Sequence, residues 1–429
     1  MDISWIGALS GLLLAIILIL FKLAPTYSLI LGAVVGAFIG GAGFSDAVTI
    51  VISGTQSVMG TVIRIIAAGV FAGVMMESGA AESIAKFIVD KLGGTKAMLS
   101  LALATMIITA VGVFIPVAVL IVAPIGLSVA NKMGYSKVAV LVALSGGGKA
   151  GNIISPNPNT IAAAGGFDLD VNQVMLGGLI PAIFGVIVTV ILASLIKSKG
   201  TKVTDAEIEE LEKGTASDLP SLSKALITPV IAIVLLMISP FGSLLGIDAL
   251  GNLKIDSFFI LPFAAVVGTL ALGKGKQILD FCTSGLNRMT PTILIIIGAG
   301  AIGGLITASD LPQKVVNLVE ASGISGVFLA PIAGTLMAAA TASTSTGVIL
   351  ATGSFADAIL NTGVAPLAAA VMVHASATII DSLPHGTYFH VTRNAMSMSM
   401  KERMTVVFYE AIVGLAMTIV STILYGFIL

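Results

Sequence analysis

The sequence predicts an all-α polytopic membrane protein made of two inverted-topology repeats, each with a re-entrant helical hairpin and a broken transmembrane helix. Three observations carry this. Of 429 residues, 57% are hydrophobic and 10% charged, against roughly 25% charged in a soluble globular chain. Five apolar stretches, Ile6–Phe21, Ser28–Gly43, Val174–Ile196, Leu226–Ile238 with its flanks and Val406–Leu429, approach or reach the ~20 residues that cross a bilayer. Finally, 48 Gly and 15 Pro interrupt the apolar segments, and backbone breaks at membrane depth are tolerated where they line a site rather than face lipid.

The first apolar stretch follows Met1-Asp2-Ile3-Ser4-Trp5, which has no Lys or Arg and no small-residue cleavage site after it, so it is expected to be retained as a helix. One polar stretch, Lys197 to Lys224, divides the chain into a first transmembrane repeat (1–196), a cytoplasmic linker (197–224) and a second repeat (225–429). Its basic opening, Lys197-Ser-Lys199-Gly-Thr-Lys202, belongs inside by the positive-inside rule. Counting back, Lys132 to Lys137 and Lys86, Lys91 and Lys96 fall inside, so Met98–Ala130, broken by Pro116, is expected to be a hairpin that returns to its own face. Lys22 then marks a cytoplasmic turn. Counting forward, Lys274, Lys276 and Arg288 are inside, Gly326–Leu360 is a hairpin entering from outside, and Arg393, Lys401 and Arg403 return to the inside. The halves therefore run in opposite senses. A shift of 230 residues lays Gly73 on Gly303, Thr105 on Thr335, Ala110 on Ala340 and Leu120 on Leu350.

Four segments are too polar or too broken to face lipid. Gly112-Val-Phe-Ile-Pro116 is one hairpin turn. Its counterpart, within Ala340–Gly347, packs five hydroxyls into the six residues from Thr341 to Thr346. The third runs from Ser145 to Thr160 and the fourth from Ala375 to Tyr388. Pro156 and Pro158 cannot continue a helix, so carbonyls are freed for a cation and helix N-termini for an anion. Ser, Thr and Asn supply neutral ligands that hold a carboxylate or hydroxyl without trapping it. The substrate-binding candidates are therefore Lys149, Asn152, Ser155, Asn157, Asn159, Thr160, Ser343, Thr344, Ser345 and Thr346, and the ion-coupling candidates Thr378, Asp381, Ser382 and His385. Close packing and interhelical hydrogen bonds would also account for clustered hydroxyls. Lys149 and Asp381 are the only strong charges in the broken segments, and intramembrane charges are functional candidates by default. Two readings stay open for them. Either Lys149 attracts a substrate carboxylate while Asp381, with His385, exchanges a proton, or the two form a buried pair that joins the halves. Arg64 and Glu77, at helix ends, are expected to snorkel.

Other chemistry is poorly supported. Cys282 stands alone, which excludes an internal disulfide and a cysteine-built metal site. His374, His385 and His390 match no common metal spacing. Gly146-Gly-Gly-Lys149 lacks the leading Gly and the following Ser or Thr of a phosphate loop. No nucleophile with an adjacent base is evident, so an enzyme is not expected, and neither is a cofactor.

Ser155-Pro-Asn-Pro-Asn-Thr160-Ile-Ala-Ala, and Thr387-Tyr-Phe-His-Val leading to Ser399-Met-Lys401-Glu402, resemble the breaks and the aromatic stretch of the gluconate:proton symporter (GntP-type permease) family of the ion-transporter superfamily. Asn157 stands where that family usually carries His, and Asp381-Ser-Leu-Pro-His385-Gly replaces its usual Ser-His-x-Asn-Asp-like stretch. The resemblance implies hairpin tips, here Ala110–Pro116 and Ala340–Gly347, that approach a central substrate, and a homodimer in a bacterial inner membrane. The function expected is symport of a small organic anion, a gluconate-like hydroxy acid or carboxylate, with H+ or Na+. The bilayer is the other partner, and no nucleic acid is expected. A cation:proton antiporter without an organic substrate is the first rival, with Asp381 as the ion site; a channel is the second.

Overall fold

The computed structural model describes residues 3–92, 96–205, 207, 219–253, 255–323 and 325–429. These are helices and their connections, with two isolated β-bridges, Ile3 to Ser309 and Ser136 to Lys202, among the described residues. Among the described residues, five helical stretches are long and apolar enough to cross a membrane, or six if the pair bent by 44° at Gly178 is one span.

The chain opens with α1 (Trp5–Leu20) and α2 (Pro25–Ile39). They begin one and three residues before the apolar stretches read from the sequence, because Ser4 caps the first and Pro25 starts the second. The amphipathic α3 (Phe44–Ser57) leads into α4 (Met59–Glu77), and α5 (Ala80–Leu92) follows. Next comes a hairpin of α6 (Ala97–Ala110) and α7 (Ile115–Met133). At about 1.5 Å per residue, the 14 residues of α6 reach only about 21 Å, short of the ~30 Å hydrocarbon core.

α8 (Lys137–Asn152) is buried along its whole length, wrapped by α6, α7 and later helices, and it stops where Pro156 and Pro158 remove the next amide donors. The chain resumes as α9 (Pro158–Gly166), capped by Asn157, and continues through α10 (Val171–Gly177) into α11 (Leu179–Leu195).

Of the linker, residues 206 and 208–218 lie outside the described residues. Its opening is bonded to the body of the protein: Ser136 N–H donates to Lys197 O at 2.7 Å, Lys137 N–H to Thr201 O at 2.9 Å, and Thr201 N–H to Glu402 Oε1 at 2.8 Å. Burial pushes the Glu207 carboxyl up, but hydrogen bonds from Lys137 and Thr204 outweigh it and hold the group below the usual carboxylate range.

The second half also runs through helices into a hairpin and a broken helix. α12 (Ile227–Leu244) and α13 (Ser257–Ala271) lead to α14 (Ile278–Thr307). At 30 residues α14 is about 45 Å long, and it packs along α2, α3 and α4. The amphipathic α15 (Leu311–Ser322) precedes a second hairpin, α16 (Leu329–Thr341) and α17 (Thr344–Asn361). A second broken helix follows, α18 (Pro366–Ser376) and α19 (Thr387–Ala395), and α20 (Met400–Ile423) ends the fold from a Ser399–Glu402 capping box.

Each broken helix is cradled by its own hairpin. Thr109 Oγ1 donates to Gly148 O at 3.0 Å in the first half, and Thr335 Oγ1 reaches Ser376 O at 3.4 Å in the second. The contact is close enough to need glycine: a Cβ on Gly147 would lie 2.0 Å from Ala102 O. Gly147→Ala should therefore cost about 1–3 kcal/mol, the usual range for overpacking. Gly43→Ala, whose Cβ would meet nothing closer than Asp46 Oδ2 at 3.5 Å, should be nearly neutral. Thermal unfolding of the two variants in detergent checks the contrast.

Candidate functional site

Where the two hairpin tips meet the two helix breaks, a cavity of about 870 Å³ opens between them and the scaffold helices α1, α2 and α14. The tip of the second hairpin is two residues long. Ala342 takes a left-handed conformation (φ +47°) and ends α16, and Ser343 caps α17 by accepting from Thr346 N–H at 3.3 Å. A non-glycine residue at positive φ carries strain, which concentrates at functional turns. Gly386, at the end of the second break, lies so close to this tip that a Cβ there would come 2.4 Å from Ala342 O.

Of the residues expected to form the site, Asn152, Asn159, Ser343, Thr344, Ser345, Thr346, Asp381 and His385 line the cavity. The others stand behind its wall. Lys149 is fully buried, its Nζ 2.6 Å from Asp381 Oδ1 and also donating to Thr378 O. Asp381 is further held by Thr344 Oγ1 at 2.6 Å and Ser382 Oγ at 2.7 Å. Asp381 thus sits between Lys149 and the cavity, and Thr344 ties it to the hairpin tip. Thr378 contributes its carbonyl, while its hydroxyl donates back to Ala375 O at 2.7 Å.

Asn157 acts as a cap. Its Oδ1 accepts from Asn159 and Thr160 N–H at 2.8 and 3.2 Å, and its Nδ2 donates to Asn152 O and Oδ1 at 2.7 and 2.6 Å. Around it, Asn152 Nδ2, Ser155 Oγ, Asn159 Oδ1 and Thr160 Oγ1 are buried with no hydrogen-bond partner among the described residues, and such groups call for a bound partner.

Two of the helix N-termini at the cavity are closed by side chains, α9 by Asn157 and α17 by Ser343. Three others are not: α2 starts after Ala24, α7 after Phe114 and α19 after Gly386, none has a side-chain cap, and the start of each lines the cavity. Open N-termini attract anions through free N–H groups and the helix dipole. Lys22, Arg288 and His390 add to the wall; the His390 Nε2–H donates to Pro384 O at 2.8 Å.

Several features were not anticipated. Arg64 and Glu77 carry ion-pair partners at their helix ends, Asp256 at 2.6 Å and Arg288 at 3.1 Å respectively. Arg403, expected as an exposed flanking charge, is buried in α20 and paired at 2.8 Å with Glu410, two helical turns on. That spacing on one face of an apolar helix was the available signal. The three histidines divide: His385 and His390 face the cavity and His374 is buried in α18.

The chain matches the GntP family permease family over residues 2–428. It belongs to that family. It is 47% identical to an uncharacterized transporter of Haemophilus influenzae, across 99% of this chain and 98% of that one. It is 22% identical to a gluconate permease of Bacillus licheniformis, covering 91% and 92% of the two chains. To the D-serine transporter DsdX of Escherichia coli K12 it is 24% identical, covering 81% and 82%. The solved structure of Neisseria gonorrhoeae MtrF, from a class described as antimetabolite efflux pumps, superposes with a TM-score of 0.67 at 12% identity, covering 96% of this chain and 95% of that one, and so shares its fold. The protein is a multi-pass membrane permease for a small organic substrate, not an enzyme.

Removing one member of a buried ion pair strands the other, which typically costs about 3–5 kcal/mol. Lys149→Ala and Asp381→Asn should each destabilise by that order. The double variant should cost less than their sum, because neither charge is then left bare; chemical unfolding in detergent of the three variants measures it.

Proposed function

We propose that this GntP family permease is a cation-coupled symporter of a small carboxylate bearing hydroxyl or amino groups, with H+ or Na+ as the driving ion. The observation that carries the reading is the Lys149–Asp381 pair placed at the wall of a cavity into which three uncapped helix N-termini open. The names of the relatives, a gluconate permease and a D-serine transporter, fit a substrate with a carboxylate at one end and hydrogen-bond donors elsewhere. A cavity of about 870 Å³ suits a ligand of that size.

In this reading the pair couples the ion to the substrate. With Asp381 ionised, Lys149 is neutralised within the protein and the site offers little to an anion. Protonation of Asp381, or a sodium ion on its carboxylate, leaves the buried lysine charge uncompensated, and a substrate carboxylate reaching the Asp381 side of the cavity neutralises it. Neither ligand is stable there alone, because a lone charge in a low-dielectric site is costly, so the two bind together. Asn152, Asn159, Ser343, Ser345 and Thr346 supply neutral hydrogen bonds, and Thr344 reports the state of Asp381 to the hairpin tip. His385, on the same wall, is a second proton-exchanging group. The two halves are taken as inverted repeats joined by the 197–224 linker, with the site between them, and the protein as a homodimer in a bacterial inner membrane.

Uptake into proteoliposomes tests this. Labelled gluconate and D-serine, offered under an inward proton gradient and then an inward sodium gradient, should accumulate in at least one of these conditions. Asp381→Asn should lose gradient-driven accumulation while keeping substrate counterflow. Proton flux that depends on sodium and not on any organic anion would replace this reading with an antiporter.

A further inference from the structure

A second buried charge pair lies behind the cavity, and its hydrogen bonds run in one direction. On α20, Arg403 Nη1 and Nη2 donate to Glu410 Oε2 and Oε1 at 2.8 and 3.2 Å, and its Nε donates to Thr392 Oγ1 at 2.8 Å. The guanidinium lies over the Phe389 and Tyr388 rings, with centroids 5.1 and 5.5 Å away. Glu410 Oε1 also accepts from Ser145 Oγ on α8, and Ser145 Oγ accepts from the Tyr388 hydroxyl at 2.7 Å. Tyr388 is part of the cavity wall.

A carboxylate accepts and cannot donate. With Arg403 fixing Glu410 as the carboxylate, Ser145 must spend its single proton on Glu410, and it can then only accept from Tyr388. The Tyr388 proton is committed in turn, so the phenol has only lone pairs left for the cavity. We propose that Glu410 is a positioning residue that, through Ser145, makes Tyr388 an acceptor-only contact selecting substrates with a hydroxyl or ammonium donor over carboxylates that carry only acceptors. The inference rests on the transport reading of the cavity. It also orients the substrate, with its donor groups toward Tyr388 and its carboxylate toward the α7 N-terminus and Asp381.

The test is a selectivity ratio measured on the full-length protein in proteoliposomes. The probes are gluconate and D-serine, which carry donors, and glutarate, which carries two carboxylates and none. Tyr388→Phe should raise the KM of the donor-bearing probes by about tenfold, the worth of one net hydrogen bond, with maximal rates and the weak response to glutarate largely unchanged, whereas Ser145→Ala, which frees the Tyr388 proton for the cavity, should shift the ratio toward glutarate. Glu410→Gln can donate its amide proton to Ser145 and reverse the chain, so the ratio should shift toward glutarate; Glu410→Asp, which remains an acceptor, should restore it. If Glu410→Gln fails to fold, the Ser145→Ala and Tyr388→Phe ratios decide alone. Wild-type ratios in every variant that folds would overturn the inference and leave the transport reading standing. Uptake of none of the three probes by the wild-type protein would overturn both.

Discussion

The arrangement depends on one interaction, the contact between Lys149 and Asp381 at 2.6 Å in the interior of a helical bundle. A lysine with no exposed surface has no water to solvate it, and its residues come from different halves of the chain, 232 positions apart. The pair therefore requires α8 and the second break to lie side by side. The two hairpins meet that requirement by surrounding the broken helices with small residues, and Thr344, donating to the same carboxylate, draws the hairpin tip into the cluster. The local geometry of tip, break and cavity follows from keeping two charges satisfied where neither could stand alone.

Buried pairs of this kind seldom add stability over an apolar core of the same volume. Their presence here twice, in Lys149–Asp381 and Arg403–Glu410, makes sense if they do different work. The first faces the cavity through Asp381 and can change partner when a proton, cation or anion arrives. The second is turned away from the cavity, doubly hydrogen-bonded and stacked on two rings, and it fixes the polarity of a hydrogen-bond chain instead. Both act through α8, where Ser145 and Lys149 are one turn apart.

Much of this was legible in the sequence because the bilayer leaves so few options. Prolines at 156 and 158 within an apolar stretch can only be a break, and the hydroxyls from Thr341 to Thr346 mark a hairpin tip with no business facing lipid. A lysine and an aspartate in such segments announce a site. What the sequence hid has equally physical causes. Asn157 caps a helix with the same atoms a ligand would use, so its composition alone does not separate the two roles. Arg403 sits beside Lys401 and Glu402, and a charge at a helix start looks the same whether it turns out to water or in toward Glu410. Lys22 reaches the cavity from the turn between α1 and α2, Arg288 from α14 and Tyr388 from α19, and only the packing of these elements brings them to one wall.

The central claim is that substrate binding and the charge state of Asp381 are one event. Infrared difference spectroscopy of the purified protein, with and without gluconate or D-serine, reads that carboxyl directly. If the driving ion is the proton, adding substrate should produce the carbonyl band of a newly protonated carboxyl, which Asp381→Asn abolishes; under sodium coupling, the carboxylate bands of Asp381 should shift only when sodium and substrate are both present. Substrate binding that leaves the Asp381 bands unchanged under both conditions would contradict the account and reduce the pair to a structural clasp.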